Sequence, residues 1–370
     1  MLNTLILGGY GNFGSYICKA LCKDSDIHLL IAGRNMAKAR RFVSELGLPE
    51  AQAVQLDANG SDLARQLRAL QVNVLVHTAG PFQGQNYHVA QACLDAGCHY
   101  IDLADGRDFV VGIRQLDAQA AEAGVLVTSG ASSVPALSSA VVERFLPEFS
   151  QLKSIRHAIA SGAKTPGLAT MRAVLGYCGK PFSRWESGGW KRVYGWQDLH
   201  RRHYPDPIGS RWLGSCDVPD LALFPERYQG VENVTFHAGL GIPLSHLSTW
   251  ALSWLVRWKL IPNLASWARV LQWFSQRLEV IGTRNSAMHV ELTGIGHDGK
   301  PLQHTWHVLA FQNHGPNIPC GAAIALVRKL ARGQMKTAGA MPCVGLVTLD
   351  EYMDALAGLD MRQESDSSGG

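Results

Sequence analysis

A chain of 370 residues with 46% hydrophobic and 17% charged residues has ordinary globular composition, and it is long enough for two domains because single cores rarely grow past about 250 to 300 residues. Its net charge of +4 is too small to argue for a nucleic-acid partner and suits an anionic small molecule equally well. Eight cysteines form no CxxC pair and an apolar strand starts at Leu2 in place of a leader, so a reduced, cytoplasmic enzyme without a metal centre is expected.

Leu2 to Leu7 read as a strand that runs into Gly8, Gly9, Tyr10, Gly11, Asn12, Phe13 and Gly14. Phe13, Ile17, Cys18 and Leu21 then recur at helical spacing. Strand, glycine turn and helix in that order form a dinucleotide site: the chain turns sharply, the backbone approaches a pyrophosphate with no Cβ between, and free helix N–H groups face the phosphates. The residues from Gly9 to Gly14 are therefore candidate cofactor contacts. A second strand, Ile27 to Ala32, ends at Gly33, Arg34 and Asn35. An NAD site places an acid there for the ribose 2′-hydroxyl, whereas an arginine can pair with a 2′-phosphate. Arg34, with Asn35 beside it and Lys38, Arg40 and Arg41 on the following helix, points to NADP.

Further strands are predicted at Ala53 to Leu56, Val72 to His77, Tyr100 to Leu103 and Val125 to Thr128, with a helix from Asn86 to Ala96 stopped by Gly97. Ligands bind beyond the carboxyl ends of such strands. Asp57 is thus a candidate for the adenine, with capping of the next helix as its alternative use, and Ala79, Gly80, Pro81 and Phe82 for the nicotinamide side. This alternation predicts an α/β fold, a Rossmann doubly wound parallel sheet over residues 1–150. A second, α+β domain with a partly antiparallel sheet is expected over 151–312 for substrate and dimerisation. It starts with the strand Ile155 to Ala160 and a loop-rich stretch to Arg211, and it contains a hairpin turning at Asp298-Gly299. C-terminal helices over 313–362 and a disordered polar tail over 363–370 complete the prediction.

The segments GGYGNFG, AGRN, HTAGPFQGQNYHVAQACLDAGCHYIDLADGRDFV and SVPALSS, with GPNIPCGAAIALVRKLARGQ and GAMPCVGLVTLDEYMDAL near the end, resemble the saccharopine dehydrogenase-like oxidoreductases. The resemblance implies NADP(H) bound by the first domain, a middle domain covering it, C-terminal helices returning to the first domain, and hydride transfer at a carbon–nitrogen bond of an imine or secondary amine. It matches Gly9, Gly11 and Gly14 to the phosphate turn, Arg34 to the 2′-phosphate contact and Gly80-Pro81-Phe82 to the nicotinamide loop. Asp105-Gly106 stands where relatives often carry Gly-Glu, and Val134-Pro135-Ala136 where they carry Val-Pro-Gly.

Hydride transfer to an activated imine needs alignment more than acid–base work. Candidate proton donors or carboxylate partners are Asp105 and, from the ionisable run Asp198 to Asp206, His200 and His203. That run, with Arg201 and Arg202, would suit an anionic amino-acid or polyamine-like substrate; a solvated charged loop is its bland alternative. His304 and His307 lie three apart on a strand and so face opposite sides, against a shared metal. No tyrosine has a lysine four residues on, against short-chain dehydrogenase chemistry. Trp250, Trp254 and Trp258, followed by Trp267 and Trp273, make an aromatic segment flanked by cations. Core or a homodimer interface is its expected use, with contact to an anionic membrane surface as the rival. A non-catalytic NADP sensor or scaffold and a reductase of a lipid-like substrate remain alternative functions.

Overall fold

The structure, a computed structural model, describes residues 1–165 and 167–369. The chain forms two compact units, Met1–Ala140 with Asn317–Ala357, and Val141–Pro316 with the residues from Gly358 onward.

In the first unit β1 (Leu2–Leu7), β2 (Ile27–Gly33), β3 (Ala53–Gln55), β4 (Val74–His77), β5 (His99–Asp102) and β6 (Leu126–Ser129) lie in the order β3-β2-β1-β4-β5-β6. All neighbours are parallel, as the predicted doubly wound sheet requires. Helices cover a parallel sheet on both faces, so its strands are nearly continuously apolar; β2 and β4 show this, with hardly a residue open to solvent. The helix Asn12–Leu21 buries Gly14, Ile17, Cys18 and Leu21 on a single stripe. The helix His88–Ala96 ends where Gly97 takes the left-handed conformation at φ 71°.

In the second unit β7 (Phe149–Ala160), β8 (Pro181–Glu186), β9 (Gly189–Tyr194), β10 (His200–Tyr204), β11 (Gly209–Ser215), β12 (Asn233–Gly239), β13 (Ser286–Gly296) and β14 (Pro301–Ala310) belong to a largely antiparallel sheet in which only β7 and β12 run parallel. Four strands, β8 to β11, and the helix Leu168–Tyr177 occupy the stretch predicted as loop. Their polar residues misled composition: β9 has no buried residue, because a strand exposed on both faces is stabilised by its ladder rather than by an apolar side. The predicted hairpin is present, with Gly299 at φ 80° and Lys300 N–H bonded to Asp298 Oδ1 at 3.0 Å.

After β14 the chain returns to the first unit, where β15 (Gly339–Pro342) adds a seventh parallel strand beside β6. The helix Gly321–Ala331 of that return segment holds the helix Asn12–Leu21 region through Arg328 Nε to Asp24 Oδ2 at 2.9 Å. The predicted disordered tail is instead β16 (Met361–Gly369), paired antiparallel with β14 from Leu302 to Ala310; Gly370 lies outside the described residues. Backbone pairing to a long neighbouring strand orders a Ser- and Asp-rich segment that has no apolar face of its own. Among the described residues no helix is long and apolar enough to cross a membrane.

Candidate functional site

The strand order reverses between β1 and β4, and this is where a doubly wound sheet opens a crevice at its carboxyl ends. The glycine turn lines it. Gly8 sits at φ 84°, and its N–H reaches Ala32 O at 2.9 Å, so β1 ends against β2. A Cβ on Gly9 would lie 2.9 Å from Ile31 Cγ2, and one on Gly14 would lie 2.7 Å from Gly9 Cα. Neither position admits a side chain, so the helix packs on the turn with bare backbone at its N-terminus. Gly11 caps that helix without a side-chain bond, no acid occupies the first turn, and Asn12 is exposed. An anion placed there meets the partial positive charge of the helix.

Tyr10 closes the turn from above. Its ring lies over Gly33, and its hydroxyl accepts from Asn35 N at 3.0 Å. Asn35 in turn caps the helix Met36–Glu45 by accepting from Lys38 N at 3.0 Å. The cap is therefore Asn35, and Arg34 is left exposed beside the turn with its carbonyl, not its guanidinium, engaged by Gln55. Arg40 and Arg41 are paired with Glu50 and Glu45. Asp57 is exposed at the end of β3 and accepts from Asn59 N at 3.1 Å; the next helix takes Asp62 as its N-cap, so capping is not the use of Asp57.

Beyond β4 the chain runs through Thr78, Ala79 and a cis Gly80–Pro81 bond to Phe82. Thr78 ties this loop to β1 by a bond from its N to Leu7 O at 2.9 Å. Phe82 is buried, its ring 5.0 Å from His77 and 5.4 Å from Phe109. Asp105, past the end of β5, is exposed and accepts from Gln83 Nε2 at 2.9 Å, so the loops after β4 and β5 are joined.

Two residues of this region escaped the sequence reading. Asp102, the last residue of β5, is fully buried and accepts from Ala104 N, Gly130 N and Ser129 Oγ, each at 2.9 Å. Burial pushes its carboxyl up to about 6 against those bonds. His77 is brought down to about 4 by burial, and its Nδ1 faces Tyr100 Oη at 3.1 Å. An ionisable residue closing an otherwise apolar strand was the available signal for both.

The ionisable run of the second unit is not one cluster. It forms the edge strand β10, whose residues alternate. Arg202 pairs with Glu291 at 2.8 Å and Tyr204 bonds His289 Nδ1 at 3.0 Å, while His200 packs edge-on against His237 at 4.6 Å. On the other side Arg201 stacks over Trp212 at 5.4 Å and His203 faces Ser210 Oγ at 3.3 Å. His200 and His203 therefore cannot act on one atom together. His304 stacks on Phe145, whereas His307 lies near Tyr204, so these two also part company. Among the described residues no group of three or more His, Cys, Asp or Glu is arranged to hold a metal.

Residues 4–128 match the family model described as Saccharopine dehydrogenase NADP binding domain. A curated protein of Arabidopsis thaliana, described as a probable mitochondrial saccharopine dehydrogenase-like oxidoreductase, is 29% identical over 149 residues, which cover 36% of this chain and 33% of that protein. The chain thus aligns with about a third of the length of this relative. Apo saccharopine dehydrogenase (L-Glu forming) from Saccharomyces cerevisiae superposes with a TM-score of 0.70 at 13% identity, covering 99% of this chain and 100% of the other, a likeness of fold. Residues 4–128 thus carry the signature of a saccharopine dehydrogenase NADP binding domain, and over that part the chain is similar to a saccharopine dehydrogenase-like oxidoreductase.

Proposed function

We propose that the protein is an NADP(H)-dependent oxidoreductase that moves hydride to or from the carbon of a C–N bond in an amino-acid or polyamine-like substrate. The observation that carries the cofactor half is the exposed Arg34 at the end of β2, beside a glycine cradle that any Cβ would fill. In this reading the turn from Gly9 to Gly14 holds the pyrophosphate, Arg34 and Asn35 hold the 2′-phosphate, and Asp57 the adenosine. Ala79, Gly80, Pro81 and Phe82 line the nicotinamide. The bound cofactor supplies the hydride.

The chain supplies position and charge. Phe82, fixed between His77 and Phe109, presents an apolar wall that holds the ring in place and keeps water from it. Asp105, accessible and oriented by Gln83, is placed to stabilise a cationic substrate nitrogen or to take its proton. Within the second unit Arg202 is engaged by Glu291, while Arg201 lies over Trp212 on the other side of β10. Eight free thiols fit a reducing compartment, and the cytoplasm is the setting we assign.

The test mixes NADPH-bound protein with pairs of amino acid and oxo acid that form imines, following loss of NADPH absorbance. The expected result is oxidation by at least one pair but not by the oxo acid alone, with Asp105→Asn slower by about a hundredfold at unchanged NADPH affinity. Oxidation by the carbonyl compound alone would contradict C–N chemistry. Binding without oxidation by any pair would favour an NADP sensor.

A further inference from the structure

Two helices of the second unit, Pro243–Arg257 and Ala268–Leu278, turn one side to a buried cluster and leave the other bare. Inward, Val256, Leu264 and Ala268 pack with Leu175, Cys178 and Trp196. Outward stand Trp258, Leu260, Trp267, Val270, Trp273 and Phe274, each between 51% and 69% exposed. The sequence spacing alone suited core, yet these six side chains are outside it. Trp267, the N-cap of the second helix, is followed by Val270 and Phe274 at steps of three and four, so one side of that helix turns apolar side chains outward. Trp273 and Phe274 meet edge to face at 4.9 Å, and a monomeric protein rarely leaves so many large apolar side chains in solvent unless something covers them.

Charge decides what that is. Residues 243–278 contain Arg257, Lys259, Arg269 and Arg277 and no acidic residue. All four cations are exposed, and Arg277 lies over the Trp273 ring at 5.0 Å, placing its guanidinium at the edge of the aromatic surface. A second copy docked about a twofold axis would set this cationic patch against itself, with like charges facing. An anionic lipid surface meets both properties: indole and phenyl rings sit at the headgroup level, and the flanking cations meet the lipid charge. Among the described residues no helix is long and apolar enough to span, so the contact proposed lies on the surface.

We infer that the face formed by Trp258, Leu260, Trp267, Val270, Trp273 and Phe274, with Lys259 and Arg269, docks the protein on an anionic membrane surface.

The test is flotation of the full chain with phosphatidylcholine vesicles, with and without phosphatidylserine, at low and high salt. The protein is expected to float with the anionic vesicles, to stay down with neutral ones, and to be released by salt, with tryptophan emission shifting to shorter wavelength on binding. Trp273→Ser/Phe274→Ser and Lys259→Glu/Arg269→Glu should each lower the bound fraction about tenfold or more. Both pairs are exposed, so melting temperature and NADPH affinity should not change. Absence of flotation with anionic vesicles, or equal flotation with neutral ones, would overturn the inference. A dimer in solution that Trp273→Ser/Phe274→Ser abolishes, without vesicle binding by the wild type, would assign the face to a second copy.

Discussion

Arg34 and Asp102 show how differently single residues betray themselves. Arg34 stands out in the sequence because an arginine two residues past an apolar strand of this type of sheet can pair with a 2′-phosphate, and the structure leaves Arg34 exposed. Asp102 does not, since only the folded backbone brings Ala104 N, Gly130 N and Ser129 Oγ to one oxygen. Its raised carboxyl has a consequence for stability. Below the unfolded value near 3.8 the group is neutral in both states, and above its folded value of about 6 it is ionised in both, so the burial cost falls fully on the native state. Stability conferred by the neutral form is therefore lost as pH rises from about 4 through 6. The stability gap between wild type and Asp102→Asn should fall by roughly 3 kcal/mol across that window in denaturant titrations, as two pKa units imply. A gap independent of pH would show that the carboxyl is not held in this state.

Among elements, β1 to β6 could be read because each apolar run ends in a glycine or polar turn and alternates with helical spacing. β15 could not: four residues, Gly339 to Pro342, carry too little pattern, and they join the sheet only because β6 offers a parallel edge. β16 was misread for the opposite reason. Its composition is that of a disordered segment, yet its ladder with β14 runs from Leu302–Gly369 to Ala310–Met361, and Arg362 Nη2 adds a bond to Asp206 O at 2.8 Å. Removing residues 361–370 uncovers the edge of β14, including Trp306, whose indole N–H faces Gln363 Oε1 at 3.3 Å. The truncated protein should melt several degrees lower and aggregate faster, with NADPH affinity retained because the dinucleotide sheet belongs to the other unit. Unchanged melting would mean the strand contributes no net stability.

For the whole molecule, the two units differ in how much of their role sequence can state. The first matches an NADP binding domain, and the phosphates of such a cofactor call for glycine, a helix start and a cation at fixed points, so its expected use can be read from a few positions. The second is read from a sheet some of whose ionisable residues are engaged internally, Arg202 by Glu291 of a neighbouring strand at 2.8 Å and His157 by Asp220 of a packed helix at 3.0 Å. Such pairs look like a substrate site in one dimension and like internal structure in three. Substrate choice is accordingly the part that sequence leaves open, and the cofactor is the part on which the account stands.

That claim is tested most directly by measuring the affinities of NADPH and NADH for the wild type and for Arg34→Ala. The wild type should prefer NADPH at least tenfold, and Arg34→Ala should lose about ten- to a hundredfold in NADPH affinity while binding NADH within about twofold of the wild type. A wild type that prefers NADH, or an Arg34→Ala variant that binds NADPH as tightly as the wild type, would contradict it.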